Sequence, residues 1–230
     1  MIIYSKGTIF NSKAHAIVNT VNCIGVMGAG LALEFALRYP NMYKDYQEKC
    51  EKKEIAVGYM NYYHEEGTVI VNFPTKWHFK YPSKIEWIKN GLRNFTMTYK
   101  QQGITSVAFP KLGTLNGGLE WEKVKNLMVE YLSKIDIPVF ICLDEEGAEG
   151  LEKDMLKVFH KLTMDELKNV VKLTRKQQQG LINKRDIHRF WQIKELEGIG
   201  ITTYAKIFQY CKKKAEGFVT EQLNFFELQN

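Results

Sequence analysis

Apolar residues in the first two-thirds of the chain follow two alternating rhythms. Short runs occur at residues 2–4, 16–20, 56–63, 69–73, 106–110 and 138–143. Between them, apolar positions repeat at helical spacing over 29–38, 41–53, 84–102, 119–134 and 147–160. Short apolar runs bounded by turn residues predict strands, and a repeat of about 3.6 predicts helices. The unbroken Val139-Phe140-Ile141-Cys142-Leu143 predicts a strand covered on both faces, whereas the polar mixture at Tyr59 and from Asn61 to His64 suits an outer strand. Strand–helix alternation of this kind predicts a three-layer α/β domain. From residue 161 the strand pattern stops. Thr163-Met164-Asp165-Glu166 forms a capping box, and helical patterns follow at 164–179, 185–196 and 201–214, the last two parted by Gly198 and Gly200. An α/β domain over 1–160 and a helical extension over 161–230 are expected.

Composition narrows the class of protein without naming a chemistry. No apolar stretch approaches the roughly 20 residues of a membrane span, and the start Met1-Ile2-Ile3-Tyr4-Ser5-Lys6 lacks the apolar core of a signal peptide. A cytoplasmic chain without membrane contact is expected. Cys23, Cys50, Cys142 and Cys211 are scattered and form no C-x-x-C pair, so neither a zinc site nor a disulfide framework is suggested; no cofactor is expected. Residues 1–150 carry 17 basic and 16 acidic side chains, residues 151–230 carry 15 and 10, so most of the net charge of +6 lies in the last third. Such a tail suits contact with a polyanion, or simply a solubilising surface.

The densest local signal is Val18-Asn19-Thr20-Val21-Asn22-Cys23-Ile24-Gly25-Val26-Met27-Gly28-Ala29-Gly30-Leu31-Ala32. A strand runs into a glycine-spaced loop, and a helix starts at its end. Glycines let backbone N–H groups approach a phosphate, and the helix dipole favours negative charge there. The spacing is neither G-x-G-x-x-G nor a G-K-[ST] phosphate loop. A second glycine loop, Lys111-Leu112-Gly113-Thr114-Leu115-Asn116-Gly117-Gly118, also precedes a helix. Between them, Asn72-Phe73-Pro74-Thr75-Lys76-Trp77-His78 follows another strand. In parallel sheets, ligands bind beyond the carboxyl ends of the strands, where all three segments fall. Gly25, Val26, Met27, Gly28 and Gly30 on one side, and Gly113, Thr114, Leu115, Asn116 and Gly117 on the other, offer backbone donors to a diphosphate. Read singly, either loop is also an ordinary connector.

These three segments, in this order, resemble those of macrodomains, which bind ADP-ribose, and in wording the DarG branch, which removes ADP-ribose from DNA thymine and opposes a DarT toxin. The resemblance covers roughly the first two-thirds of the chain. It implies the macrodomain fold with a mixed central sheet, ADP-ribose or ADP-ribosylated DNA as ligand, a DarT-like toxin as partner, and Lys76 as the catalytic residue. It also implies that Asn22 contacts the ribose while Asn19 ties the loop down. Gly7-Thr8-Ile9 stands where many macrodomains have Gly-Asp-[Ile/Leu], so Thr8 replaces the acid that contacts adenine, and the resemblance implies that Thr8 and Ile9 contact the ligand through backbone groups or a hydroxyl. Lysine can act as a neutral nucleophile on the anomeric carbon or as an ammonium that stabilises the departing group. Relatives that attack through lysine pair it with an acid in the second loop. Here Thr114 to Gly118 contains none, the nearest acid being Glu120, and Asn116 and His78 are the weaker candidates for proton acceptor. A module that binds ADP-ribose without cleaving it, and an ADP-ribose 1″-phosphate phosphatase, are the alternatives.

Three further features lie outside this set. Trp77, His78 and Phe79 suit either stacking on an unpaired base or packing against the tail. Glu195-Leu196-Glu197-Gly198-Ile199-Gly200-Ile201-Thr202-Thr203-Tyr204-Ala205-Lys206-Ile207 resembles the hairpin of helix-hairpin-helix DNA-binding motifs, with Tyr204 where alanine is common; Lys212, Lys213 and Lys214 add charge. Glu221-Gln222-Leu223-Asn224-Phe225-Phe226 resembles the peptide that docks on bacterial sliding clamps, Gln222 to Phe226 being its core.

Overall fold

A computed structural model describes residues 1–65, 67–183 and 186–227, the side chains of 170, 182, 183 and 218–227 excepted. The chain divides into two units, 1–146 and 147–230. The first holds a six-stranded sheet: β1 (Ile2–Ser5), β2 (Ala16–Val21), β3 (Asn61–Glu65), β4 (Thr68–Pro74), β5 (Val107–Phe109) and β6 (Val139–Cys142), in the order β1-β6-β5-β2-β4-β3. All neighbours pair parallel except β3, which runs antiparallel to β4 at the edge. The sheet is therefore mixed. Four helices accompany it: α1 (Gly30–Arg38), α2 (Pro40–Glu51), α3 (Ile85–Thr98) and α4 (Trp121–Leu132).

Two consecutive residues of β4 show that the helices cover both faces. Asn72 reaches Met42 of α2 through Nδ2, 3.5 Å from Sδ, while the neighbouring Phe73 ring lies against Gly91 of α3. Successive strand residues point to opposite faces, so α2 and α3 lie on opposite sides of the sheet. Every residue of β4 from Val69 to Pro74 is buried, which explains its nearly continuous apolar sequence. The exception is Asn72. Its Oδ1 accepts from Asn19 Nδ2 at 2.9 Å and its Nδ2 donates to Asn61 Oδ1 at 3.3 Å. Asn19 and Asn61 are also its register partners, so three asparagines form a row across β2, β4 and β3.

Gly91 marks a close approach of helix to sheet. A Cβ there would meet the rim of the Phe73 ring well inside van der Waals contact, and Met60 Cε at 3.2 Å. Phe73 is fully buried and cannot swing away. Gly91→Ala is expected to cost about 1–3 kcal/mol through overpacking, read as a lowered denaturation midpoint in urea at unchanged slope.

The second unit holds the helices α5 (Gly150–Lys161), α6 (Arg175–Asn183) and α7 (Ile201–Glu227). The division precedes α5, not residue 161. Met155, Leu156, Val158 and Phe159 of α5 are buried, and the Phe159 ring meets Phe190, 6.2 Å away, which in turn meets Phe208. Arg189 Nε, 3.0 Å from Glu152 Oε1, and the Phe190 N–H, 2.8 Å from the same oxygen, satisfy the buried Glu152 carboxylate.

Three elements differ from their sequence-based expectation. Residues 56–60 form a turn, closed by Tyr59 N donating to Ala56 O and bent by Gly58 at φ +86°, so β3 begins only at Asn61. The helix expected over 164–179 is split. The Thr163–Glu166 box forms reciprocally, but it opens only a π-type turn over Glu166–Val170. Lys172 then reverses the chain at φ +57°, and a second box, Thr174–Gln177, starts α6. Within 185–196 the described helical residues are a 3₁₀ stretch, Phe190–Glu195.

Candidate active site

Because β2, β4 and β5 are parallel, the loops that leave their carboxyl ends share one edge. The first loop, 22–29, is organised by its own asparagine. Asn22 Oδ1 accepts from Ile24 N at 3.0 Å and Val26 N at 3.4 Å, and its Nδ2 donates to Val26 O at 2.6 Å. Tyr46 of α2, fully buried, donates its hydroxyl to Asn22 O at 2.5 Å. Asn22 thus holds the loop, the role expected of Asn19 from sequence, whereas Asn19 bridges strands. Gly25 turns the loop at φ +80° against Gln47 and Cys50. Gly28 lies between the buried Met27 and α1. Met27 is core, with its sulfur 3.7 Å from Asn19 Nδ2, so only its backbone faces the edge; Ile24 and Val26 are exposed. No side chain caps α1 at Ala29, which leaves the positive end of its dipole to a ligand or water.

The second segment is stitched to the first. Thr75 N donates to Val21 O at 3.0 Å, and Cys23 N donates to Trp77 O at 3.1 Å. Lys76 projects from this seam. Its Nζ donates to Phe79 O at 3.4 Å and to Asn116 O. Burial holds its pKa below the usual 10.5. Glu120 is paired with Lys123 at 2.7 Å and is not its partner. His78 Nδ1 accepts from Lys80 N at 3.1 Å, which commits one of its two ring nitrogens. Cys23, next to this seam, has its thiol pushed up to about 11, by burial first and Cys50 second; it stays protonated near neutrality and is no nucleophile.

The third segment, 111–118, folds tightly on itself. Leu119 N donates to Gly113 O at 3.0 Å, Gly118 N to Thr114 O at 2.6 Å, and Thr114 Oγ1 to Lys111 O at 3.2 Å. Ser83 N donates to Gly117 O at 2.9 Å. A Cβ on Gly117 would collide with Gly113 O and lie 2.5 Å from Ser83 Oγ. Leu115 is 92% exposed, so its side chain stands out from the loop. Asn116 joins all three segments: its carbonyl receives Lys76, and its Nδ2 would lie 2.9 Å from a Cβ on Gly30.

Thr8 and Ile9 take other roles. The Thr8 hydroxyl caps the 3₁₀ turn Ile9–Asn11 by accepting from Phe10 N at 3.4 Å, and Ile9 is core. Side-chain recognition by Ile9 is thereby excluded, and its backbone alone remains. Sequence reasoning missed Tyr46 and Ser83, which position the two glycine loops. Both lie outside any motif, and nothing in their local spacing distinguishes them.

In the second unit, Gly198 turns at φ +80° ahead of α7, and its carbonyl accepts from Gln177 Nε2 at 3.0 Å. Ile199 and Tyr204 are buried, Tyr204 against the Phe190 and Phe208 rings, which accounts for an aromatic where a small residue is common. Lys206, Lys213 and Lys214 are exposed. The side chains from Gln222 to Phe226 lie outside the described residues. No helix among the described residues is long and apolar enough to cross a membrane.

A family model described as Macro domain matches residues 18–128. The DNA ADP-ribosyl glycohydrolase of Mycobacterium tuberculosis is 39% identical over 158 residues, 66% of this chain and 45% of its own length. The Thermus aquaticus protein of the same name is 35% identical over 168 residues, 71% and 47%. The chain thus spans about half the length of the curated relatives it matches. Among solved structures, the macrodomain of Mycobacterium tuberculosis DarG superposes with a TM-score of 0.60 at 40% identity, covering 62% of this chain and 97% of that one. Thermosipho africanus DarTG in complex with ADP-ribose gives 0.59 at 39% identity, covering 62% and 41%.

Proposed function

Because the chain belongs to the macrodomain family, with likeness to its DarG branch, we propose that it hydrolyses the bond between ADP-ribose and a DNA base, thymine in the first instance. The observation that carries this reading is the position of Lys76. It stands where two glycine loops meet, its pKa is depressed by burial, and no carboxylate among the described residues neutralises it. The loops hold the diphosphate through backbone N–H groups and the start of α1. Lys76 faces the anomeric carbon. There the glycosidic bond breaks, water supplies the hydroxyl of free ADP-ribose, and the base leaves with a proton.

Incubation with ADP-ribosylated thymine DNA, ADP-ribosylated protein and ADP-ribose 1″-phosphate tests this. Release from the DNA alone is the expected result. Release only from the phosphate identifies a phosphatase, and binding without release from any substrate identifies a reader of ADP-ribose. The absence of an acid in residues 114–118 is what favours the reader as a second reading.

The same proposal gives the second unit a role on DNA, in the cytoplasm, against a DarT-like toxin. The turn at Gly198 and the exposed Lys206, Lys213 and Lys214 contact phosphates. Changing these three lysines to alanine should weaken DNA binding alike for all sequences and lower the salt slope by roughly one for each phosphate no longer neutralised. Salt titration by fluorescence anisotropy measures it, and an unchanged slope removes the DNA arm. Gln222 to Phe226 would dock a sliding clamp, tested by competition with a peptide of residues 218–230.

A further inference from the structure

The tip of the second glycine loop carries a side chain that the fold does not use. Leu115 is 92% exposed, the most open large apolar side chain among the described residues. It sits in Thr114-Leu115-Asn116-Gly117-Gly118, a turn sequence in which polar residues are the usual choice. The exposed apolar residues of the first loop differ: Ile24 and Val26 are each 36% exposed, so most of their surface is already packed. The backbone under Leu115 is nevertheless held in place. Gly118 N donates to Thr114 O at 2.6 Å and to Leu115 O at 3.3 Å, Leu119 N to Gly113 O at 3.0 Å, and Ser83 N to Gly117 O at 2.9 Å. A leucine presented on a braced turn pays little ordering cost on binding, and nearly all of its apolar surface is still to be gained by burial against a ligand.

The next residue in the chain shows what that ligand is. The carbonyl of Asn116 receives Lys76 Nζ, and the Asn116 amide faces Gly30 at the end of the first loop. Consecutive Cα atoms lie about 3.8 Å apart, so Leu115 leaves the backbone next to the point that Lys76 reaches. With Lys76 acting at the anomeric carbon of DNA-linked ADP-ribose, two groups meet at that point: a ribose ringed with hydroxyls, and a departing base that is flat and apolar on its faces. We propose that Leu115 packs on the departing thymine and thereby selects a nucleobase, over a polar protein side chain, as the group released. An aliphatic side chain suits the thymine ring and its methyl group, whereas packed on the ribose it would leave hydroxyls without hydrogen-bond partners. The assignment rests on the hydrolytic reading of Lys76 and adds to it a residue that recognises the leaving group.

The test uses the full chain and Leu115→Asn, which keeps the size of the side chain and removes its apolar character; Leu115→Met is the conservative control. The probes are free ADP-ribose and an oligonucleotide carrying ADP-ribose on one thymine. Leu115→Asn should raise KM for the oligonucleotide by about tenfold or more with kcat within a few-fold of wild type, since a contact made before and during bond breaking acts on KM. Leu115→Met should restore most of the loss. Affinity for free ADP-ribose, which has no base at the anomeric carbon, should follow wild type in both variants, and so should Tm, because the side chain packs on nothing in the fold. A KM unchanged in Leu115→Asn, or an equal loss of affinity for free ADP-ribose, overturns the contact with the base. If wild type releases no ADP-ribose, the hydrolytic reading fails, and equilibrium binding of the intact modified oligonucleotide to wild type and Leu115→Asn then decides the contact by the same tenfold difference. If wild type releases ADP-ribose and Leu115→Asn does so with the same KM, the contact fails and the hydrolysis stands.

Discussion

Replacing Lys76 with alanine is expected to lower release of ADP-ribose from modified DNA by a factor on the order of 10³, while affinity for free ADP-ribose stays within a few-fold of wild type. The separation follows from the geometry. On the proposed reading, diphosphate binding rests on backbone donors of 22–30 and 113–118, whereas Lys76 reaches the meeting point of the loops by its side chain. Single-turnover assays and calorimetry measure the two quantities, and near-normal turnover would falsify the role. The pH profile distinguishes the two chemistries open to a lysine. Burial lowers its pKa from 10.5, so the neutral amine gains population as pH rises toward that lowered value. Attack by the amine therefore gives a rate that climbs with pH, and borohydride traps an adduct. Stabilisation by the ammonium gives a rate that falls over the same window, with nothing trapped.

The second large effect is expected at Gly117. Its α-hydrogen faces Gly113 O and Ser83 Oγ, and a methyl group has no room there. The obstruction includes backbone, so the loop itself must open. Overpacking of this kind costs about 1–3 kcal/mol, and opening carries Asn116 away from Lys76 and Gly30. Gly117→Ala should thus lower ADP-ribose affinity by about tenfold or more with circular dichroism unchanged. Wild-type affinity in calorimetry would remove the second loop from the binding surface.

Much of this arrangement is legible in the sequence because its cause is local. Residues 16–18 are apolar up to the asparagines, and the glycines after them mark where backbone is exposed. The strands at 69–74 and 139–142 announce burial on both faces by apolar runs that only Asn72 interrupts. Other features depend on partners distant in the chain. Ala56 and Val57 read as strand, yet the turn at Gly58 overrides β propensity. Asn22 has an equal local case for ligand and for scaffold, and Tyr46, 24 residues away, fixes the side its amide serves. The helices after 161 read too long in sequence because each capping box looks alike there, and only the reversal at Lys172 shows where the first one stops. The end of the strand pattern points to 161 as a boundary, but packing of Phe159 on Phe190 assigns α5 to the second unit.

The row Asn19, Asn72 and Asn61 works as a height gauge for the candidate site. Apolar strands can slide past one another with little loss of burial, but an amide row cannot shift without breaking its bonds. A slip of one residue between β2 and β4 would move Lys76 along the sheet by about 3.3 Å relative to the first loop. It would also turn Asn72 from the face of Met42 to the face of Phe73. Two buried amides and a half-buried one, with an oxygen, Asn19 Oδ1, that has no hydrogen-bond partner among the described residues, are a poor choice for stability alone. They keep two strand ends level, so that a lysine delivered by one and glycines delivered by the other reach the same small volume of space.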